Sequence, residues 1–291
     1  MSIALWQITH PEKLLWPEAN IRKIDYLRYL ADVSDVMLPH LRDRPVTFIR
    51  YPHGVDGPSF YQKNVPAGTP LSVQTYTDHS HQKPIEYVLI NDADTLLWAG
   101  NQACIEFHIW FSTTREPEYP THLAFDLDPV WGDFEPTREV AFLIRDTLHG
   151  LGLPSYPKTS GKEGLQIYIP ITPRHHYNET RKVMQFIAEY VIKLRPDLIT
   201  LERLVKDRHA PVYVDFLQHA RNKTLPAPYS PRGTKLGTVS APLSWNELEK
   251  GAVPSDYTIS NMSARIKQKG DLHADLLSHA NSLDDILHFL H

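Results

Sequence analysis

The chain has 291 residues and 42% hydrophobic content, enough for a sizeable core in one large or two modest domains. Its single cysteine, Cys104, excludes an intrachain disulfide and a cysteine-based zinc site, which fits a reducing, cytosolic compartment. A formal net charge of -4 excludes global attraction to a polyanion, so any nucleic acid must be met by local clusters such as Arg22/Lys23/Arg28, Arg42/Arg44/Arg50, Arg203/Lys206/Arg208 or Arg221/Lys223/Arg232/Lys235.

The N-terminal stretch from Met1 to Gln7 has no basic segment followed by an apolar one. No later apolar run approaches the ~20 residues of a membrane span. Residues 22–38 carry Ile24, Leu27, Leu30 and Val33 at helical spacing. Short alternating or β-branched runs then predict strands at Val46–Arg50, Glu86–Leu89, Cys104–Phe111 and His122–Leu127. A helix is expected from Thr137, just after Pro136, to Gly150 or Gly152, with Val140, Leu143, Ile144, Thr147 and Leu148 inward. A strand at Leu165–Ile169 follows. The next helix, 178–194, has Asn178 as its expected N-cap and Val183, Phe186, Ile187, Tyr190, Val191 and Leu194 as its apolar positions. Pro211–Phe216 reads as a further strand, Leu225–Pro231 as a proline-rich loop, and Asp271–His291 as a short amphipathic helical tail. The mixture predicts an α/β or α+β architecture with chemistry on strand ends and loops.

Within the run Thr121–Pro129 the period of a strand places Leu123, Phe125 and Leu127 on one face and Ala124, Asp126 and Asp128 on the other. The two acids lie roughly 6.6 Å apart along the strand at ~3.3 Å per residue. Brought to about 4 Å without a cation, two carboxylates repel by ~4 kcal/mol at an effective dielectric near 20. A positive partner is therefore expected, and oxygen-only ligation suits Mg²⁺ or Mn²⁺. Two solvated acids at a strand end before Pro129 are the plainer alternative. Asp215 stands in a second apolar run, Pro211–Phe216, where a carboxylate asks for a metal, a cation such as Arg208 or Arg221, or exposure.

In Ile105–Phe111 the same alternation sets Glu106, His108 and Trp110 opposite an apolar row. His108 is thus a candidate ligand for a metal or phosphate, or a hydrogen-bonded structural residue. Lys158-Thr-Ser-Gly-Lys-Glu-Gly-Leu165 joins a polar loop to a strand; Gly161 and Gly164 permit close backbone approach, and Thr159, Ser160, Lys158 and Lys162 add hydroxyls and charge, a sensible triphosphate cradle. It lacks Walker A spacing and opens a strand rather than a helix.

Taken in order, Phe125-Asp-Leu-Asp-Pro129, Lys158–Leu165, Val212-Tyr-Val-Asp-Phe-Leu-Gln218 and Ala220–Arg232 resemble the polymerase domain of bacterial DNA ligase D, in the archaeo-eukaryotic primase superfamily. The resemblance runs from His10–Pro17 through Ser244–Leu248, nearly the whole chain. It implies a single α+β primase-polymerase domain over 1–291, with mixed or antiparallel sheets flanked by helices. Within it, about 1–100 would contact the 5′-phosphate and template, about 101–260 would form the catalytic core, and 261–291 the helical tail.

The implied activity is template-directed nucleotide addition that fills gaps and extends ends in non-homologous end joining. It would prefer ribonucleotides and use two Mn²⁺ or Mg²⁺ ions, in a bacterial-type cytosol at the nucleoid. Asp126, Asp128 and Asp215 match the catalytic metal-binding triad, and His108 the histidine near a metal. Ser160, Gly161, Lys162, Gln166, Arg208, Lys223 and Arg232 match triphosphate contacts. Lys13, Lys23 and His10 match the downstream 5′-phosphate site, and Phe60 and Tyr61 the aromatic platform beside the template. Implied partners are gapped or broken DNA and NTP or dNTP, with Ku and a DNA ligase as candidates and no membrane.

Two departures stand out: Gln166 replaces the histidine of the family's Ser-Gly-x-x-Gly-Leu-His pattern, and His10 replaces a common asparagine. The alternatives are a Mn²⁺-dependent nucleotide-sugar glycosyltransferase and a non-catalytic DNA-end-binding module.

Overall fold

A computed structural model describes residues 7–278 and 280–290. The N-terminal stretch read above therefore lies, for residues 1–6, outside the described residues, as do tail residues 279 and 291. Two compact units interleave along the chain. The first takes the described residues of Met1–Trp110, Thr224–Ser240 and Tyr257–Asp271, and the second those of Phe111–Lys223, Ala241–Asp256 and Leu272–His291.

In the first unit a small β1–β2 ribbon (β1 Leu14–Trp16, β2 Ile21–Arg22) leads into helix α1 (Lys23–Leu41). Arg22 caps that helix, its backbone N–H donating to Asp25 at 3.1 Å. Strands β3 (Pro45–Arg50), β4 (Phe60–Gln62), β5 (Thr75–Asp78) and β6 (Ile85–Leu89), helix α2 (Ala93–Asn101) and strand β7 (Cys104–Trp110) follow. Strand β13 (Thr224–Pro226) and helix α6 (Ile259–Lys269) join from later in the chain. The sheet runs β13-β7-β3-β6-β5, with β4 paired to β3, and every pairing is antiparallel. Helix α1 buries Tyr26, Leu27, Leu30, Val33 and Met37 and packs against α2 and α6. Neither α2 nor α6 was expected from apolar periodicity, although the Asp92 side chain caps α2 by accepting from the Thr95 N–H at 2.7 Å.

The second unit comprises β8 (His122–Pro129), α3 (Glu135–Gly150), β9 (Tyr156–Thr159), β10 (Leu165–Pro170), α4 (Tyr177–Leu194), β11 (Ile199–Thr200), β12 (Val212–Asp215) and the short helices α5 (Trp245–Glu249), α7 (Asp275–Ser278) and α8 (Asp284–Phe289). Its sheet order is β11-β12-β8-β10-β9, antiparallel except between β11 and β12. Leu123, Phe125 and Leu127 of β8 and Leu165, Ile167 and Ile169 of β10 are fully buried, and α3 and α4 pack on these strands. Alternation therefore turns the polar residues of the same strands to the other face.

Several details differ from the sequence reading. Helix α3 begins at Glu135, ahead of the expected Thr137, with Pro136 in its first turn, and it leaves Leu143 and Thr147 only half-buried; the expected loop Leu225–Pro231 opens in strand β13, which pairs with β7. Helix α4 begins after His176, not Asn178, because Glu179 reaches back to accept from the His176 backbone N–H at 2.9 Å. Its inward stripe is Val183, Met184, Ile187, Ala188 and Val191; Tyr190 and Leu194 are exposed and, with Phe186, line an open groove beside Leu143 and Leu151 of the α3 end. The tail is broken into α7 and α8, and Asp271 belongs to the first unit, where it meets His40 and the Tyr229 hydroxyl at 2.9 and 2.6 Å. Among the described residues no helix is long and apolar enough to cross a membrane.

Candidate active site

Strand β8 lies at the centre of the second unit's sheet, and its register assembles the carboxylates. Asp126 is the cross-strand partner of Asp215 on β12, and Asp128 that of Tyr213. Directly opposed residues of an antiparallel pair share a face. Asp126, Asp128 and Asp215 therefore lie on one face, opposite the helices, as the strand period required for the first two. On its other side Asp126 pairs with Gln166 of β10, and Gln166 in turn with Lys158 of β9. A row Asp215, Asp126, Gln166, Lys158 crosses four adjacent strands.

The row is joined by hydrogen bonds. Gln166 Nε2 donates to Asp126 Oδ1 at 3.1 Å, and Lys158 Nζ donates to Gln166 Oε1 at 2.6 Å. Asp126 feels burial first, then the charge of Asp128, with Asp215 adding to it; the Gln166 hydrogen bond and the Lys158 charge oppose these. The outcome is a carboxyl pushed up to about 7. A carboxylate so crowded by like charge favours any cation that enters. Asp215 accepts from the Gln218 backbone N–H at 3.0 Å. The Tyr213 hydroxyl has its pKa raised by burial and by the nearby Asp215 carboxylate.

The Lys158–Leu165 loop borders the same strand. Ser160 Oγ accepts from the backbone N–H groups of Lys162 and Gly164 at 3.2 and 3.0 Å, while the Ser160 N–H donates to the Gly164 carbonyl at 2.9 Å. Gly161 holds a left-handed φ of +74°. A Cβ on Gly164 would stand 2.4 Å from the Leu127 carbonyl oxygen and 3.3 Å from Asp128 Oδ1, so only glycine lets this loop pass the acidic strand. Lys162 is exposed. Arg208 stacks over the Tyr213 ring at 3.8 Å from its centroid and bonds the Glu202 and Arg203 carbonyls. Arg221 pairs with Glu118. Lys223 is exposed in the turn that follows Ala220.

The other predicted residues belong to the first unit. There Glu106, fully buried, gathers His108 Nε2 and Arg232 Nε on one oxygen, each at 2.9 Å, and the Tyr51 hydroxyl and Gly233 N–H on the other, at 3.1 and 3.0 Å. Burial opposes ionisation of Glu106, but the His108 hydrogen bond and the Arg232 charge outweigh it and hold the carboxyl well below the usual range. Sequence spacing alone does not mark Glu106 or Tyr213 as site residues. Glu106 carried a signal, since it shares a face with His108 two positions on.

Lys23 is buried, its ammonium donating to the Asn101 carbonyl at 2.9 Å and Thr9 Oγ1 at 3.2 Å. Burial lowers its pKa, and neighbouring Lys13 lowers it further. Lys13 bonds the Pro52 carbonyl, and His10 and Lys13 line an open surface hollow with Pro11 and Glu12. Phe60 and Tyr61 on β4 are 46% and 72% exposed, which argues against core packing as their purpose.

Among the described residues no three His, Cys, Asp or Glu side chains are already grouped so as to hold one ion. The donor chemistry nevertheless fits: the three aspartates offer oxygen alone, Asp128 and Asp215 crowd Asp126 with like charge, and Mg²⁺ or Mn²⁺ characteristically takes one or two carboxylates and completes its shell with water and phosphate.

Comparison with known proteins gives concordant results. The family described as "LigD, primase-polymerase domain" matches residues 22–273. The chain is 43% identical over 266 residues to the bifunctional non-homologous end joining protein LigD of Bacillus subtilis (strain 168), covering 91% of this chain and 43% of that protein. It is 34% identical over 274 residues to the multifunctional non-homologous end joining DNA repair protein LigD of Mycobacterium tuberculosis (strain H37Rv), covering 91% and 36%. The chain thus spans less than half the length of these relatives. Among solved structures, the polymerase domain from Mycobacterium tuberculosis ligase D in complex with DNA superposes with a TM-score of 0.89 at 30% identity, over 96% of this chain and all of that one.

Proposed function

Because the chain belongs to the LigD primase-polymerase domain family, we propose that it is a template-directed nucleotidyltransferase that fills gaps and extends broken DNA ends during non-homologous end joining, with a preference for ribonucleotides. The observation that carries the reading is the register that sets Asp215 beside Asp126, with Asp128 on the same face. On that face Asp128 and Asp215 crowd Asp126 with like charge, and the glycine-containing loop that carries the exposed Lys162 passes close to Asp128.

The family is metal-dependent. Asp126, Asp128 and Asp215 would hold two Mn²⁺ or Mg²⁺ ions, which when bound stabilise the attacking and leaving oxygens of the displacement. The chain's own residues supply the rest. Ser160, Gly161 and Lys162 receive the triphosphate, and Lys162, Arg208 and Lys223 offset charge on the departing pyrophosphate. Arg232 is a further triphosphate contact and His108 a further metal ligand, each held by Glu106. Lys13, Lys23 and His10 bind the downstream 5′-phosphate of a gap, so a net acidic chain acquires a local anion site. Phe60 and Tyr61 stack on template bases without sequence preference. Ku and a DNA ligase are the expected partners, in a bacterial-type cytosol.

The deciding experiment is primer extension on a gapped duplex, with and without a downstream 5′-phosphate, comparing ribo- and deoxynucleotides in Mn²⁺. Extension that the 5′-phosphate stimulates and Asp126→Ala abolishes is the expected result. DNA binding with no turnover in the unsubstituted chain would leave an end-binding module in its place.

A further inference from the structure

We infer that Lys158, acting through Gln166, is a positioning residue for the Asp126 carboxylate and sets the affinity of the aspartate face for a divalent cation, Gln166 being no direct triphosphate contact. The inference rests on the reading of Asp126 as a metal ligand.

Lys158 is fully buried on β9, and its ammonium reaches Gln166 Oε1 at 2.6 Å. An ammonium withdrawn from water costs several kcal/mol unless it is compensated. Part of the compensation is the Tyr168 ring, 5.5 Å away, and the Thr159 carbonyl at 3.4 Å. Gln166 adds a directed part: its oxygen must face the cation and its NH₂ must face the carboxylate, because neither partner tolerates the opposite orientation. The amide is thus locked by chemistry at both ends, and its NH₂ meets Asp126 Oδ1 at 3.1 Å.

Three consequences follow from that lock. Polarisation by the ammonium strengthens the amide as a donor to Asp126. With Oδ1 engaged, the carboxylate loses its freedom to rotate, so a cation meets a pre-set ligand. Finally, Gln166 is 1% exposed and its NH₂ already faces Asp126, so its second N–H has little access to a phosphate arriving from solvent. The cross-strand register of β9, β10 and β8 puts the three side chains in line, which makes the arrangement a property of the sheet and not of a mobile loop.

The test titrates the full chain, without DNA, with Mn²⁺ and counts free Mn²⁺ by electron paramagnetic resonance; thermal melts confirm the fold of each variant. Lys158→Met and Gln166→Leu keep side-chain bulk while removing the charge and the amide. Each is expected to weaken Mn²⁺ binding about tenfold, and the double variant to be no more than twofold weaker than either single one, because the two act in series. At saturating Mn²⁺ the nucleotide KM in primer extension should stay within twofold of the unsubstituted chain.

Unchanged Mn²⁺ affinity in the folded variants overturns the relay, as does a risen nucleotide KM with Mn²⁺ binding intact, or additive losses in the double variant. If Lys158→Met fails to fold, Gln166→Leu alone decides by the same criteria. Asp126→Ala separates the two levels. Loss of Mn²⁺ in Asp126→Ala, with Lys158→Met and Gln166→Leu unaffected, removes the relay only. Retention of full Mn²⁺ affinity in Asp126→Ala removes the aspartate reading and the relay together.

Discussion

Asp126 and Asp215 are cross-strand partners on the antiparallel pair β8 and β12, so two acids far apart in the chain stand side by side on the face that the helices leave open. Like charges directly opposed across strands destabilise a sheet. Neutralising either, as Asp126→Asn or Asp215→Asn, is expected to stabilise the metal-free protein by about 1 kcal/mol. The same variants should lose at least ~100-fold in nucleotide addition, as removal of a group that stabilises charge in a transition state typically does. Calorimetry without divalent ions and primer extension with Mn²⁺ measure the two effects, which must run in opposite directions.

The Asp126 carboxyl, raised from 3.8 to about 7 by burial and by Asp128, ties stability to pH. Between those values the folded chain holds a proton that the unfolded chain has released. Metal-free stability therefore falls as pH rises from about 4 to about 7 and levels off above. After allowance for solvent screening of a partly exposed group, the fall attributable to this residue is on the order of 1–2 kcal/mol. Urea melts between pH 5 and 8 should show it in the unsubstituted chain, and Asp126→Asn should flatten it. Because the proton and the cation compete, raising Mn²⁺ should move the acid limb of the extension rate to lower pH.

Glu106 offers a contrasting case, a buried carboxylate whose partners hold it ionised. Glu106→Ala leaves Arg232 and His108 without their shared acceptor, and the expected cost is about 3–5 kcal/mol in urea unfolding. Gly233→Ala attacks the same cluster sterically, since its Cβ would stand 2.1 Å from the Tyr51 hydroxyl oxygen. A loss of about 1–3 kcal/mol is expected from overpacking. Tyr51→Phe should not rescue it, because the ring carbon Cζ is itself 2.2 Å from the added atom.

Phe60 and Tyr61 lie at the surface of β4, and Arg50 stacks over the Phe60 ring at 5.5 Å. Alanine at either position should leave stability within ~0.5 kcal/mol. Affinity for gapped DNA should fall by ~1–3 kcal/mol per lost ring. Fluorescence anisotropy against chemical denaturation separates the two; equal losses in both would make the rings structural.

The strand period alone placed Asp126 beside Asp128 and opposite Leu127, and the structure keeps that arrangement, because side-chain alternation is a local property of an extended backbone. Helix α1 and strands β7 and β10 were likewise legible from apolar spacing. Helix α4 was legible in extent but not in facing. Its apolar residues fill more than one stripe, and the packing of α3 and the sheet chose Met184 and Ala188 over Tyr190 and Leu194. The cap of α4 was not legible because Asn178 satisfies the local cap preference and His176 does not; the reach of Glu179 back to the His176 N–H decided for the earlier residue.

What the residues determined by themselves was thus the composition of the site: which acids, which loop, and which family they resemble. Only the tertiary structure decided that Asp215 faces Asp126 and not the helices, since a slip of one residue in the β8–β12 register would have turned it to the buried side. It also decided that Lys158, read from the chain as part of a phosphate loop, is buried behind Gln166. Register and burial arise from pairing between strands remote in sequence, and no periodicity within one strand encodes its partner.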